Sequence, residues 1–174
     1  MGVRLMLVIA EPNHAEARPT LISMKLLDIL LVDDNHNDCA LFGIAVDRTG
    51  LNICLQTLTD GEQAIDYLEG RGVYADRSKH PVPELVVLDW NMRWTGGLEF
   101  LEWRRVSASF SSLPVVIFSG FTYKGAIETA LAMGANTYIT KPSDFEDWGA
   151  VIRQIWDLGM QRSEPMKPAV AVGG

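Results

Sequence analysis

Five residues of this chain carry the chemistry that its sequence offers: Asp33, Asp34, Asp89, Ser119 and Lys141. Each stands at the end of a short apolar run, Asp34 one residue after Asp33. Ile-Leu-Leu-Val precedes Asp33-Asp34, Leu-Val-Val-Leu precedes Asp89, Val-Val-Ile-Phe precedes Ser119, and Tyr-Ile-Thr precedes Lys141. Carboxylates brought together repel, and one takes up a proton unless a cation sits between them. An all-oxygen donor set suits Mg²⁺ or Mn²⁺; Mg²⁺ takes one or two protein carboxylates and keeps several waters. Lys141 adds a second positive charge. A cation, a lysine and a hydroxyl around an aspartate match phosphoryl transfer. The positive charges neutralise the phosphoryl oxygens, and an aspartate can be the covalent nucleophile.

For these residues to meet, the chain must bring the ends of its apolar runs to one rim. Residues 28–32, 84–88 and 114–118 read as strands buried on both faces, as in a parallel sheet. Residues 52–57 alternate and read as another strand, and 136–140 as the fifth. Between them, 38–49, 62–68, 98–106 and 124–133 read as helices, with Gly50, Gly70 and Gly134 as stops. In the third of these, Leu98, Leu101 and Val106 are expected on one side. Residues 144–158, with Phe145, Trp148, Val151, Ile152, Ile155 and Trp156, make a strongly amphipathic last helix. Strict β-α alternation means a parallel sheet with helices on both faces. Ligands of such sheets bind outside the carboxyl ends of the strands, where the five residues lie. The segment 70–83 is long for a connection in such a unit, where ~2–6 residues are usual. It is either a partner-facing loop or an extension of the second helix.

The domain is expected over 24–159. Residues 1–23 carry prolines and no apolar period and read as an appendage without order; Met24 as the natural start and a plain N-terminal tail are both open. Residues 160–174 read as a flexible Pro/Gly/Ala tail.

The chain has 174 residues and a net charge of −7. That argues against a sequence-independent nucleic-acid binder and against a polybasic membrane anchor. No apolar run approaches the ~20 residues of a membrane span, and no export signal is evident, so a cytoplasmic location is the default. Cys39 and Cys54 match no metal spacing, fit a reducing compartment and are expected to be small buried apolar residues. The three histidines form no ligand pair, and His36 beside the acidic pair does not suit a Mg²⁺ site.

The order Asp-Asp, Asp, Ser, Lys-Pro after successive strands resembles the receiver domain of bacterial two-component response regulators. The strings Ile29-Leu-Leu-Val-Asp33-Asp34-Asn35, Leu88-Asp89-Trp90-Asn91-Met92, Gly134-Ala135-Asn136-Thr137-Tyr138 and Thr140-Lys141-Pro142 carry the likeness, which covers 25–158. It implies a flavodoxin-like, doubly wound (βα)5 fold with strand order 2-1-3-4-5. It makes Asp89 the phosphoacceptor and Asp34 the principal acidic metal ligand, with Asp33 binding through water or orienting the site. Asn91 supplies a backbone carbonyl to the metal. Ser119 bonds the phosphoryl group, Lys141 pairs with carboxylate and then phosphate, and Tyr138 swings inward when Ser119 moves. A cis Lys141–Pro142 bond is also implied. The implied partners are a sensor histidine kinase and a downstream protein, with a homodimer through the last two βα units. The segment 70–83 with Tyr74 resembles receivers linked to phytochrome-type kinases. On this reading the protein is a switch, not an enzyme, and its output is a protein contact, since 15 residues beyond 159 are too few for an output domain.

Two positions depart from the family pattern: Arg93 stands where proline is usual, and Gly96 where an aspartate is usual. They leave a second class open, a non-phosphorylated receiver-like interaction module. A phosphohydrolase is disfavoured, because that group needs an aspartate where Asn91 stands. Dinucleotide binding lacks its glycine fingerprint. The bulk of Phe121 beside the pocket points to a long-lived phosphoryl state. Local alternatives are plain: Asp33-Asp34 as helix caps, Ser119 as a turn residue, Tyr138 as core, Trp148 and Trp156 as core or interface, and Arg104-Arg105 as a solvated face.

Overall fold

A computed structural model describes residues 25–163. The strands are β1 (Leu27–Val32), β2 (Ile53–Leu58), β3 (Leu85–Leu88), β4 (Val115–Ser119) and β5 (Thr137–Thr140). The helices are α1 (His36–Thr49), α2 (Gly61–Glu69), α3 (Gly97–Val106), α4 (Lys124–Ala132) and α5 (Trp148–Ser163). All strand pairs are parallel, in the order β2-β1-β3-β4-β5. The doubly wound order expected from the resemblance is the one observed. The expected appendage 1–23 lies outside the described residues, as does the expected tail 160–174 from 164 onward; residues 160–163 are not tail, because α5 continues through them to Ser163.

The continuous apolar runs exist because the sheet is covered on both sides. Leu30 and Val32 of β1 enter a cluster with Ala64 and Leu68 of α2 and Phe100 and Leu101 of α3. Their neighbours Leu27, Ile29 and Leu31 enter another with Phe42 and Val46 of α1 and Ile152 and Ile155 of α5. Burying each large side chain contributes about 1.5–3 kcal/mol, so β1 alone anchors helices on both faces.

Helix ends follow local side-chain chemistry. Asn35 caps α1 by accepting the Asn37 N–H at 3.0 Å, which starts the helix at His36 rather than at residue 38. Asp144 accepts the Glu146 N–H at 3.0 Å and folds Phe145–Asp147 into a 3-10 turn, so α5 begins at Trp148 and not at 144. Gly70, at φ 69°, ends α2 in the left-handed region that favours glycine. The segment 70–83 is therefore no helix extension. It folds back on α2: the Arg77 guanidinium donates to the carbonyls of Tyr67, Leu68 and His80, and Tyr67 donates to the Pro81 carbonyl at 3.0 Å. Tyr74 packs edge-on against His80, with ring centroids 5.3 Å apart.

The third helix corrects two expectations. Val106 is exposed, and the buried positions are Gly97, Phe100, Leu101 and Arg104. Arg104 is not on a solvated face. Its Nε donates to the Leu113 carbonyl at 2.6 Å and its Nη1 to the Gly134 carbonyl at 3.3 Å. It thereby satisfies two backbone acceptors in the loops before β4 and after α4. Arg104→Ala removes charge-assisted hydrogen bonds and leaves buried acceptors unpaired, so it is expected to cost about 2–4 kcal/mol. Chemical denaturation reads this; a change below about 0.5 kcal/mol, the scale of an ordinary surface substitution, contradicts it.

Candidate functional site

The sheet's own ladder sets the site. Beyond the last residues of β1, β3 and β5, one more backbone bond continues the pairing. Asp33 N–H donates to Leu58 O at 3.0 Å, Asp89 N–H to Val32 O at 2.8 Å, and Lys141 N–H to Ser119 O at 3.0 Å. Asp33, Asp89, Ser119 and Lys141 thus stand together at the carboxyl rim of four adjacent strands, with Ser119 and Lys141 one and two positions further along than the level of the aspartates. The two aspartates then turn the chain in the same way. Asp33 Oδ1 accepts the Asn35 N–H at 2.9 Å, and Asp89 Oδ2 accepts the Asn91 N–H at 2.8 Å. Ser119 Oγ does likewise for the Phe121 N–H at 3.3 Å. Each turn fixes one side-chain oxygen and leaves the side chain at the rim. Close packing holds the loop after β3: a Cβ on Gly97 would lie 3.1 Å from Trp90 Cα and 3.3 Å from Asp89 O.

This rim opens into a cleft of about 330 Å³. Six of the seven residues expected at a site line it: Asp33, Asp34, Asp89, Asn91, Ser119 and Lys141. Tyr138 does not. It stands behind Ser119, half-buried, and its hydroxyl donates to the Phe121 carbonyl. Phe121 lines the cleft on the side of β4. His36 is exposed and stands outside the cleft lining.

Lys141 organises the carboxylates. Its Nζ lies 2.7 Å from Asp33 Oδ2, 2.8 Å from Asp38 Oδ2 and 3.1 Å from Asp89 Oδ1. Three ammonium protons thus meet three carboxylates. Burial pushes the Lys141 ammonium down, but its hydrogen bonds to Asp33 and Asp38 and the Asp89 charge outweigh this and hold it well above the ordinary lysine range. Burial pushes the Asp33 carboxyl up; the hydrogen bonds from Lys141 and the Asn35 N–H offset only part of that. Asp34 lies apart from the lysine: the Arg93 N–H and Nε reach its Oδ2 at 3.2 and 3.4 Å. Four carboxylates face two cations, which leaves the cleft electronegative.

Asp38 and Arg93 are the ions whose contacts sequence reasoning missed. A signal for Asp38 existed: α1 starts at the rim, so an acid in its first turn stays at the rim. The implied cis bond is not observed, since the described residues contain no cis peptide. Trans is the lower-energy isomer for X–Pro by ~0.5–1 kcal/mol, and in it the Pro142 carbonyl accepts the Trp148 indole N–H at 3.2 Å.

Cys39 is half-buried rather than buried, and its thiol lies 3.3 Å from the Asp33 carbonyl. Burial and the Asp33 charge push that thiol up to about 11. Cys39 should therefore alkylate at pH 8 roughly tenfold or more slowly than a free peptide thiol. The iodoacetamide rate should keep rising to about pH 11; a plateau by pH 9 contradicts it.

The chain belongs to the response regulator receiver domain family, whose sequence profile matches residues 29–153. Three solved structures illustrate the likeness. A response regulator in red light signalling of R. palustris, RPA3017, superposes with a TM-score of 0.74 at 30% identity, covering 82% of this chain and 100% of that one. The phosphorylated cyanobacterial phytochrome response regulator RcpA does so at 0.72 and 25%, with the same coverage. The Mn²⁺-bound response regulator Rcp1 does so at 0.66 and 26%, covering 74% of this chain and 91% of that one. Among curated relatives, a probable methanogenesis regulatory protein of Methanothrix harundinacea, FilR2, is 32% identical over 78% of this chain and 86% of its own length. Longer relatives also match: the chain spans 18% and 30% of two protein-glutamate methylesterases, from Trichodesmium erythraeum and Treponema denticola. Among the described residues no helix is long and apolar enough to cross a membrane.

Proposed function

We propose that this receiver takes a phosphoryl group from a histidine kinase onto Asp89 and passes the signal to a protein partner. One observation carries the reading: Asp89 stands at the rim with Lys141 Nζ 3.1 Å from its Oδ1 and an oxygen-lined cleft before it. In the step, a carboxylate oxygen of Asp89 attacks phosphorus and an acyl phosphate forms. The P–N bond to the kinase histidine breaks, and its electron pair stays on that histidine. Lys141 neutralises the transferred group, and Ser119 bonds one of its oxygens. Tyr138 couples this to the surface, because its hydroxyl holds the carbonyl of Phe121, two residues after Ser119.

The donor set fits a hard divalent cation: Asp34 and Asp89 would supply carboxylates, Asp33 would act through water and Asn91 through its carbonyl, and all four residues line the cleft. Mg²⁺ or Mn²⁺ held there supplies positive charge to the phosphoryl oxygens. The folded-back segment 70–83, together with the likeness to phytochrome-linked regulators, favours a phytochrome-type kinase in the cytoplasm. A homodimer through β4-α4-β5-α5 is the accompanying assembly. The domain on this reading comprises 24–163, since α5 runs past the expected end at 159 to Ser163.

A phosphotransfer profile against candidate histidine kinases, with oligomer mass measured before and after, tests this. Rapid transfer from a phytochrome-type kinase, with a mass change on phosphorylation, is expected. No transfer from any histidine kinase would overturn it.

A further inference from the structure

Two cations of unequal standing meet the carboxylates of the cleft, Lys141 from within its lining and Arg93 from outside it. Lys141 has 11% of its side chain exposed and three carboxylates around its Nζ, so it cannot leave without stranding charge. Arg93 has 81% of its side chain exposed and reaches one carboxylate, that of Asp34, with its Nε 3.4 Å from Oδ2. Its side chain can swing into water at little cost. Asp34 is itself only 24% exposed, so the guanidinium neutralises a carboxylate that is substantially withdrawn from solvent. The backbone N–H of Arg93 holds the same oxygen at 3.2 Å. That contact needs no side chain and keeps Asp34 in place when the guanidinium departs.

We propose that Arg93 is a tethered rival of the divalent cation at Asp34. In the free protein its guanidinium occupies the carboxylate that the metal needs, and it gives way when the metal binds. Arg93 thereby sets the metal concentration at which the receiver becomes competent. This rests on the reading of Asp34 as a metal ligand. Four carboxylates against Lys141 alone would otherwise present three excess negative charges, and such a cleft would hold a divalent ion more tightly. The arginine lowers that excess without blocking the cleft, because its position at the rim is reversible.

Calorimetric titration of Mg²⁺ into the full chain tests this without any phosphoryl donor. Arg93→Ala keeps the backbone N–H and removes the guanidinium. It is expected to lower the Mg²⁺ dissociation constant roughly two- to fivefold, the scale of an exposed ion pair. Arg93→Lys should fall between the two. The gap between wild type and Arg93→Ala should narrow as added salt shortens the screening length. In an Asp34→Asn background, Arg93→Ala should gain nothing. Equal or weaker binding by Arg93→Ala, a gap indifferent to salt, or a gain that persists with Asp34→Asn would overturn the proposal while leaving Asp34 as ligand untouched by the first two results. Undiminished binding by Asp34→Asn alone, or no binding by any variant, would overturn the metal reading of Asp34 and this proposal with it.

Discussion

Asp89→Asn is expected to lose phosphoryl label from a phosphorylated histidine kinase, a fall of at least about 10⁴-fold, the scale of removing a reacting group. The amide is nearly the shape of the carboxylate, but it is a poor nucleophile and carries no charge to develop an acyl phosphate. The fold should survive the change. The Asn91 N–H that Asp89 Oδ2 accepts can be taken by the amide oxygen, and Lys141 keeps Asp33 and Asp38 at 2.7 and 2.8 Å. Removing one carboxylate from a cleft with excess negative charge relieves repulsion. The variant should therefore be at least as stable as wild type, which separates a chemical loss from an unfolded protein. Label transfer and a denaturation curve on the same sample check both halves. Persistent label on the variant contradicts the assignment of Asp89.

The second large effect is on stability. Lys141→Met keeps most of the length of the side chain and removes the charge that three carboxylates share. Breaking a buried ion pair costs ~3–5 kcal/mol. The cleft is open to water, so about 1–3 kcal/mol at pH 7 is the expected loss. The pH dependence has a definite sign. The ammonium of Lys141 is held above its ordinary range in the folded protein. Its contribution is therefore complete below the unfolded value of ~10.4 and is lost as pH rises through the folded value. Wild type should lose stability on going alkaline past ~10.4. Lys141→Met should lack that component. Denaturant midpoints at pH 7, about 10 and about 11.5 read both the loss at pH 7 and its fading on the alkaline side. Equal stability at pH 7 contradicts the account of Lys141.

Much of this site is legible in sequence because a parallel sheet makes it local. An apolar run that stops at a polar residue marks a strand end, and every strand end lies on the same rim. Asp33, Asp89, Ser119 and Lys141 need nothing more than that rule to be placed together. The rest depends on approaches across the fold that no local pattern marks. Arg93 meets Asp34 across 59 positions of sequence. Asp38 meets Lys141 across 103. Arg104 reads as one of a solvated pair because its carbonyl partners lie in loops distant from α3. Segment 70–83 looks polar and free because its order comes from Arg77 and Tyr67 binding backbone carbonyls. Tyr138 shows the intermediate case. Its position three residues before Lys141 is visible in sequence, but its contact with the Phe121 carbonyl appears only in the fold.

Incubating the full chain with Mg²⁺ and acetyl phosphate, then mapping the modification by intact mass and by borohydride reduction of the acyl phosphate, tests the central claim directly. One added phosphoryl group per chain, trapped at Asp89 and absent from Asp89→Asn, is the predicted result. No mass increase, or a phosphoryl group trapped at another residue, would contradict it and leave the chain as a receiver-like contact module.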